Sequence, residues 1–153
     1  MKTKILSISL ISILLLVMFI PVMAFAATSS NYNYNIIYRV DGKENGNFHS
    51  LNKGTATIKG HSFYNGSKES WASGKLPPGE SVKYCLYKSK LGFDTSYGCV
   101  DQYVDKDANK NRVANISKSF PTKLDEKSGK YYLVVTKDNN GWKMIGEGKI
   151  STP

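Results

Sequence analysis

Cys85 and Cys99 are the only two cysteines in the chain, and they are the residues whose spacing says most about chemistry. No Cys-x-x-Cys spacing is present, so a redox pair is not indicated. An even cysteine count in an exported chain points instead to a disulfide. If the two face each other in a hairpin, the mirror point is Gly92, inside the turn-like segment Lys90 to Ser96. The same register sets Tyr84 opposite Val100 and Leu86 opposite Gly98. Apolar residues then share one face and the cysteines lie on the other. Directly opposed strand residues have Cα separations of about 4.5 or 5.5 Å, within disulfide reach. Closing a loop of this length stabilises a fold by roughly 3 kcal/mol in the chain-entropy picture.

His49 and His61 are the only histidines. A Ser-His-Asp or Cys-His set would have to use one of them, and neither a Gly-x-Ser-x-Gly elbow nor a His-Glu-x-x-His pair is present. Both read as surface or hydrogen-bonded structural histidines. Asp105, Asp107 and Asn109 place oxygen ligands at alternate positions, as a calcium loop does. Lys110 stands where an EF-hand needs glycine, and Ile116 where it needs a bidentate acid. With Lys106, Lys110 and Arg112 interspersed, the segment reads as a solvated turn and only a weak metal candidate. Glu44, Glu69, Glu80, Glu126 and Glu147 are dispersed, with no pair marked for glycosidase chemistry. The residues therefore indicate a non-enzymatic protein, with no cofactor and no nucleic-acid signature.

Aromatic residues are the remaining signal. The chain has ten Tyr and two Trp, many in strand-like segments. In a small sandwich they fill the core, and Trp71 and Trp142 read as its anchors. On an exposed face they stack on sugar rings while lysines hold acidic groups. Tyr87 and Tyr103 share the cysteine-bearing face, so with Lys83, Lys88 and Lys90 they are the candidate ligand contacts. Lys106 and Lys110 belong to the same set of expected surface charges.

The elements that must position these groups are strands. Tyr32, Tyr34, Ile36, Tyr38 and Val40 alternate with polar residues, broken only by Ile37, which predicts one strand. Thr55–Lys59 predicts another, continued at Ser62–Tyr64 after a bend at Gly60. A weak strand or polar loop is expected over Asn45–Asn52 and a short strand over Trp71–Leu76. Further strands are expected at Ser81–Ser89, Tyr97–Asp105, Val113–Phe120 and from Trp142 to Ile150. Tyr131–Lys137 is apolar on both faces, which predicts a central, doubly covered strand. No window beyond the leader has a helical stripe. The pattern predicts an all-β fold, a single small antiparallel β-sandwich, with a small β-barrel as the alternative.

Residues 1–26 carry an address. Lys2 and Lys4 precede the apolar run Ile5–Phe25, and Ala24-Phe25-Ala26 is a small-x-small cleavage pattern. This reads as a secretory signal peptide, with an uncleaved membrane anchor as the alternative. Mature protein would begin near Ala27 and comprise one domain, 27–153. The leader holds two of the 21 basic residues and none of the 12 acidic ones. The remainder thus has 19 basic residues against 12 acidic, a formal charge of +7. A basic exported protein is expected to meet anionic surfaces.

Gly54-Thr55-Ala56-Thr57-Ile58, then Trp71-Ala72-Ser73-Gly74-Lys75, then Gly79-Glu80-Ser81-Val82-Lys83-Tyr84 form a local pattern. It resembles that of lactococcin-type secreted β-sandwich bacteriocins over some thirty residues. The resemblance implies a short exported strand-rich protein directed at cell-wall synthesis. This chain departs from the pattern in its length and in its cysteine pair.

Three functional readings follow, beside a fourth, an enzyme whose site the residues do not mark. The first is a secreted, monomeric, non-enzymatic binding protein of a Gram-positive bacterium, acting outside the cell or at its envelope. Its partner would be an anionic cell-wall polymer or an extracellular protein, with membrane contact only through an uncleaved leader. The second, implied by the resemblance, is a secreted antibacterial factor. The third is an inhibitor of a secreted hydrolase that presents the Lys90–Ser96 loop.

Overall fold

The computed structural model describes residues 27–153; the signal peptide expected over 1–26 lies outside the described residues. Nine strands follow in order: β1 (Thr28–Ile36), β2 (Arg39–Asp41), β3 (His49–Leu51), β4 (Thr57–Lys68), β5 (Glu80–Lys88), β6 (Thr95–Val104), β7 (Ala114–Ser119), β8 (Ser128–Thr136) and β9 (Trp142–Thr152). One sheet has the order β1-β9-β4-β7. The other has β2-β8-β5-β6, with β3 also pairing β8. Every pairing is antiparallel. The two sheets pack face to face as a small β-sandwich, as the alternation predicts.

The core forms because each strand turns one apolar face inward. Ile58, Val82, Leu86, Met144 and Ile150 are fully buried, each contributing about 1.5–3 kcal/mol of transfer free energy. Between the sheets lies a polar knot. The Tyr34 hydroxyl meets Ser62 Oγ and the Tyr84 hydroxyl, each at 2.7 Å. Ser62 and Tyr84 both donate to Gln102 Oε1, at 2.8 and 2.5 Å. Gln102 Nε2 donates to the Ala114 carbonyl at 2.6 Å. Two lone pairs on Oε1 accept two hydroxyls and leave the third hydroxyl to donate within the group, so the knot is satisfied. Burial raises the Tyr34 and Tyr84 pKa values, which keeps both hydroxyls protonated.

Several expectations are corrected. The first predicted strand is two strands. β1 and β2 belong to different sheets, and the chain changes sheet at Ile37–Tyr38. Ile37 marked this corner by breaking the alternation, and Lys137 holds it by donating Nζ to the Ile37 carbonyl at 3.0 Å. Gly60 makes no bend, since β4 runs straight through it, paired with Gly148. A Cβ on either glycine would strike neighbouring backbone and the Tyr32 side chain, and one on Gly146 would strike the Tyr34 ring. The three glycines are a bed for two tyrosines.

Trp71–Leu76 is not a strand, and Trp71 is 57% exposed rather than a core anchor. A turn at Ser70–Trp71 and a bend at Gly74–Leu76 redirect the chain there, and Ala72 takes the buried position against Gly141. Trp142 is buried, as expected. β8 is central, between β5 and the β2–β3 pair. Its outer face is covered only at Tyr132, while Val134 and Thr136 are half-exposed.

Candidate functional site

The hairpin β5–β6 sets the positions that matter. Cys85 pairs with Cys99 and Tyr84 with Val100, as the sequence predicts. The cysteines are bridged, with Cα atoms 4.1 Å apart, on the outer face of the sheet. Past the bridge the register slips, so Tyr87 meets Ser96 and Lys88 meets Thr95. Leu86 is therefore not held opposite Gly98 in an unbroken ladder. Gly98, at φ +89°, lies within the slip. This is where β-bulges favour a residue free to take positive φ.

The bridge divides the outer face. Tyr103 sits opposite Ser81, six residues along β5 from Tyr87, or roughly 20 Å at about 3.3 Å per residue. Lys83 and its ladder partner Asp101 line a shallow depression with Tyr38, Ser81 and Thr136, and Tyr103, opposite Ser81, is not part of its lining. Tyr103 is 64% exposed. Tyr87 is half-buried instead and stacks on Tyr132, ring centroids 5.5 Å apart. Lys88 is no surface contact. Its position on β5 faces the core side, and its ammonium is buried against the Glu126 carboxylate. The five candidate residues thus form no single platform.

A groove that sequence reasoning missed opens at the end of the sandwich where β5 begins. It has a volume of about 770 Å³. Phe63, Leu76, Pro77 and Ile145 form apolar walls, and Asn65, Asn109, Asn111, Lys106, Lys110 and Asp107 contribute polar rim groups, Asp107 with Arg112 3.7 Å away. Its walls are held by a buried ion pair. Glu80 and Lys137 lie 3.2 Å apart, with side chains 1% and 0% exposed. The Tyr64 hydroxyl reaches Glu80 Oε1 at 2.7 Å and also abuts the Pro78 carbonyl. Glu80 accepts from the Asp138 N–H and from Asn140 Nδ2. Lys137 donates to the Asp138 carbonyl at 2.7 Å and to Asn140 Oδ1 at 2.8 Å. Burial pushes the Lys137 ammonium below the ordinary lysine pKa, against the pull of Glu80 beside it. The pair therefore ties the 71–79 connection to the 138–141 hairpin, and Trp142 adds a bond from its indole N–H to the Ser73 carbonyl.

The rim segment explains Asp105, Asp107 and Asn109. Asp105 Oδ1 accepts the Asp107 N–H and Asn109 Oδ1 accepts the Asn111 N–H. Arg112 lies 3.7 Å from Asp107. These oxygens are committed to turns that hold the loop, and no group of three metal-ligating side chains occurs among the described residues. His49 is buried, its Nδ1 2.9 Å from Ser30 Oγ, and burial lowers its pKa. His61 lies at the sheet surface 3.4 Å from Glu147. The two histidines serve different places and form no joint site.

At the opposite end, the β5–β6 hairpin projects. Leu91 is 107% and Phe93 95% exposed. Asp94 anchors the hairpin, receiving Lys43 Nζ at 2.7 Å, the Tyr132 hydroxyl at 2.6 Å and the Lys90 N–H at 3.1 Å. These donors hold its carboxyl down at a pKa of about 2.

The chain matches no known family model, no curated protein and no solved structure.

Proposed function

We propose that this chain is an exported, non-enzymatic binding protein of a Gram-positive bacterium, acting outside the cell at the envelope, and that its groove takes an anionic wall polymer. The observation that carries the reading is the groove's composition. Apolar walls that include the Phe63 ring suit the flat faces of sugar units. Three asparagine side chains on the rim suit hydroxyls, and Lys106 and Lys110 suit phosphate or carboxylate groups. The leader sequence, the +7 charge of residues 27–153 and a disulfide all favour an extracellular setting.

A pull-down on purified wall at two salt concentrations tests this. The screening length shortens from about 10 Å at 0.1 M salt to about 3 Å at 1 M. Binding through the lysines fades over that range, whereas stacking in the groove persists. The double change Lys106→Ala/Lys110→Ala is expected to weaken binding at 0.1 M salt and to leave any high-salt remainder intact. Absence of binding at both concentrations rejects the reading.

A further inference from the structure

The hairpin tip at the far end has a chemistry of its own. Leu91 and Phe93 stand fully exposed on either side of Gly92, and nothing lies within 4 Å of where a Gly92 side chain would begin. The tip is convex and free on all sides. Two large apolar groups held in water at the end of a tied hairpin contribute nothing to the core. The hairpin is fixed below them by the Cys85–Cys99 bridge and by Asp94.

The charge around the tip divides into acids that have partners and lysines that have no ion pair. The carboxylates of this end are already engaged: Asp94 by Lys43 and Tyr132, Glu126 by Lys88, and Asp125 by the Tyr97 hydroxyl. Lys90, Lys127 and Lys130 are exposed and take part in no ion pair among the described residues. Lys90 is in the hairpin. Lys130 adjoins it, since its carbonyl accepts the Ser89 N–H at 2.9 Å. Glu44, in the nearby turn after β2, stands against them, as do the carboxylates of Asp125 and Glu126, which keep solvent exposure despite their partners.

We propose that this tip docks on an anionic phospholipid bilayer, Leu91 and Phe93 entering the headgroup–acyl boundary while Lys90, Lys127 and Lys130 meet lipid phosphates. Interfacial membrane binding scales with buried apolar area plus attraction to anionic lipid, and each lysine near an anionic leaflet adds to it. A bilayer accepts a convex tip without a complementary pocket. The Lys90 N–H, already bonded to Asp94, enters with its partner. The proposal does not rest on the groove, and it places the membrane contact in the folded domain rather than in the leader.

The test uses the protein from Ala27 onward, which contains both sheets, the core and the bridge, so that the leader cannot contribute. Sedimentation with vesicles of phosphatidylcholine alone is compared with vesicles half phosphatidylglycerol, at 0.1 M salt. Partitioning is expected to be at least tenfold stronger on the anionic vesicles. Leu91→Ser/Phe93→Ser is expected to lose at least tenfold on those vesicles while keeping the wild-type melting temperature and wall binding. That loss separates a bilayer from a soluble anionic polymer, which has no apolar interior to receive the tip. Lys106→Ala/Lys110→Ala is expected to leave vesicle binding unchanged, so failure here and failure of the groove reading are independent. Equal partitioning of wild type and tip variant overturns the proposal. So does an absence of binding to anionic vesicles, including the case where the tip instead inhibits a secreted hydrolase.

Discussion

At the groove end, Glu80 and Lys137 face each other with almost no exposure, both are bonded to the 138–140 turn, and Lys137 also holds the Ile37 carbonyl. At the hairpin end, Lys43 and Asp94 also pair, at 2.7 Å, but with side chains 43% and 17% exposed. The same kind of bond thus does different work. A buried pair fixes backbone because either charge left alone in a low-dielectric interior is costly. A solvated pair fixes little by its charge, and the hairpin relies on a covalent bridge and on a carboxylate that collects three donors. The contrast matches the shapes. A concave site must hold several separate segments in register, whereas a convex tip needs only one hairpin that does not collapse.

The largest expected effect lies at the groove end. Glu80→Gln leaves Lys137 buried without its counter-charge, and removing one member of such a pair costs about 3–5 kcal/mol. A urea titration should show the midpoint falling accordingly, with wall binding weakened because the 71–79 and 138–141 segments loosen together. A midpoint close to wild type would show that water or a shifted Lys137 relieves the charge, and the contrast between the two ends would lose its basis.

The bridge comes next. Replacing both cysteines by alanine should cost roughly 2–4 kcal/mol. Because the bridge lies on the outer face, the core should survive and the loss should come mainly from the freed hairpin. Calorimetry with and without reductant checks this; identical melting in both conditions would sink it.

How much of this was legible in the chain depends on how local the signal is. The pairing of Cys85 with Cys99 and of Tyr84 with Val100 was readable because two constraints, disulfide reach and alternation, agree on one register. The bulge beyond the bridge was not, although Gly98 marked it. The sandwich was readable from repeated alternation, and Ile37 flagged the corner that the predicted first strand overran. Trp71 was misplaced because size and hydrophobicity were weighed without asking whether Ser70, Ser73 and Gly74 allow a strand to reach a partner. Lys88 was misplaced because a lysine at a core-facing parity is assumed to be outside until a carboxylate such as Glu126 is found above it. The groove could not be seen at all. Its walls and rim come from four separated segments, around Phe63, Leu76, Lys106–Asn111 and Trp142–Ile145, and only the fold brings them together. The hairpin loop was legible as a loop, but the full exposure of Leu91 and Phe93 follows from the ladder ending at Lys88 and Thr95.

The smallest expected effect is the sharpest probe of the hairpin end. Asp94 is held at a pKa of about 2, chiefly by Lys43 and then by the Tyr132 hydroxyl and the Lys90 N–H; an unfolded aspartate titrates near 3.9. Between these values the unfolded chain binds the proton and the folded chain does not. The carboxylate's contribution is therefore complete above about pH 4–5 and is lost as pH falls through about 2. Following the Asp94 carboxyl carbon by NMR should give a midpoint near the lower value, and Lys43→Ala should move it upward by removing the leading cause. The melting temperature should change little in that variant, because the pair is solvated. A wild-type midpoint near 3.9 would mean that the three donors do not hold the carboxylate in solution. The tip beyond the Lys88–Thr95 pair would then lack its anchor, and the segment carrying Leu91 and Phe93 would be free to move about its base.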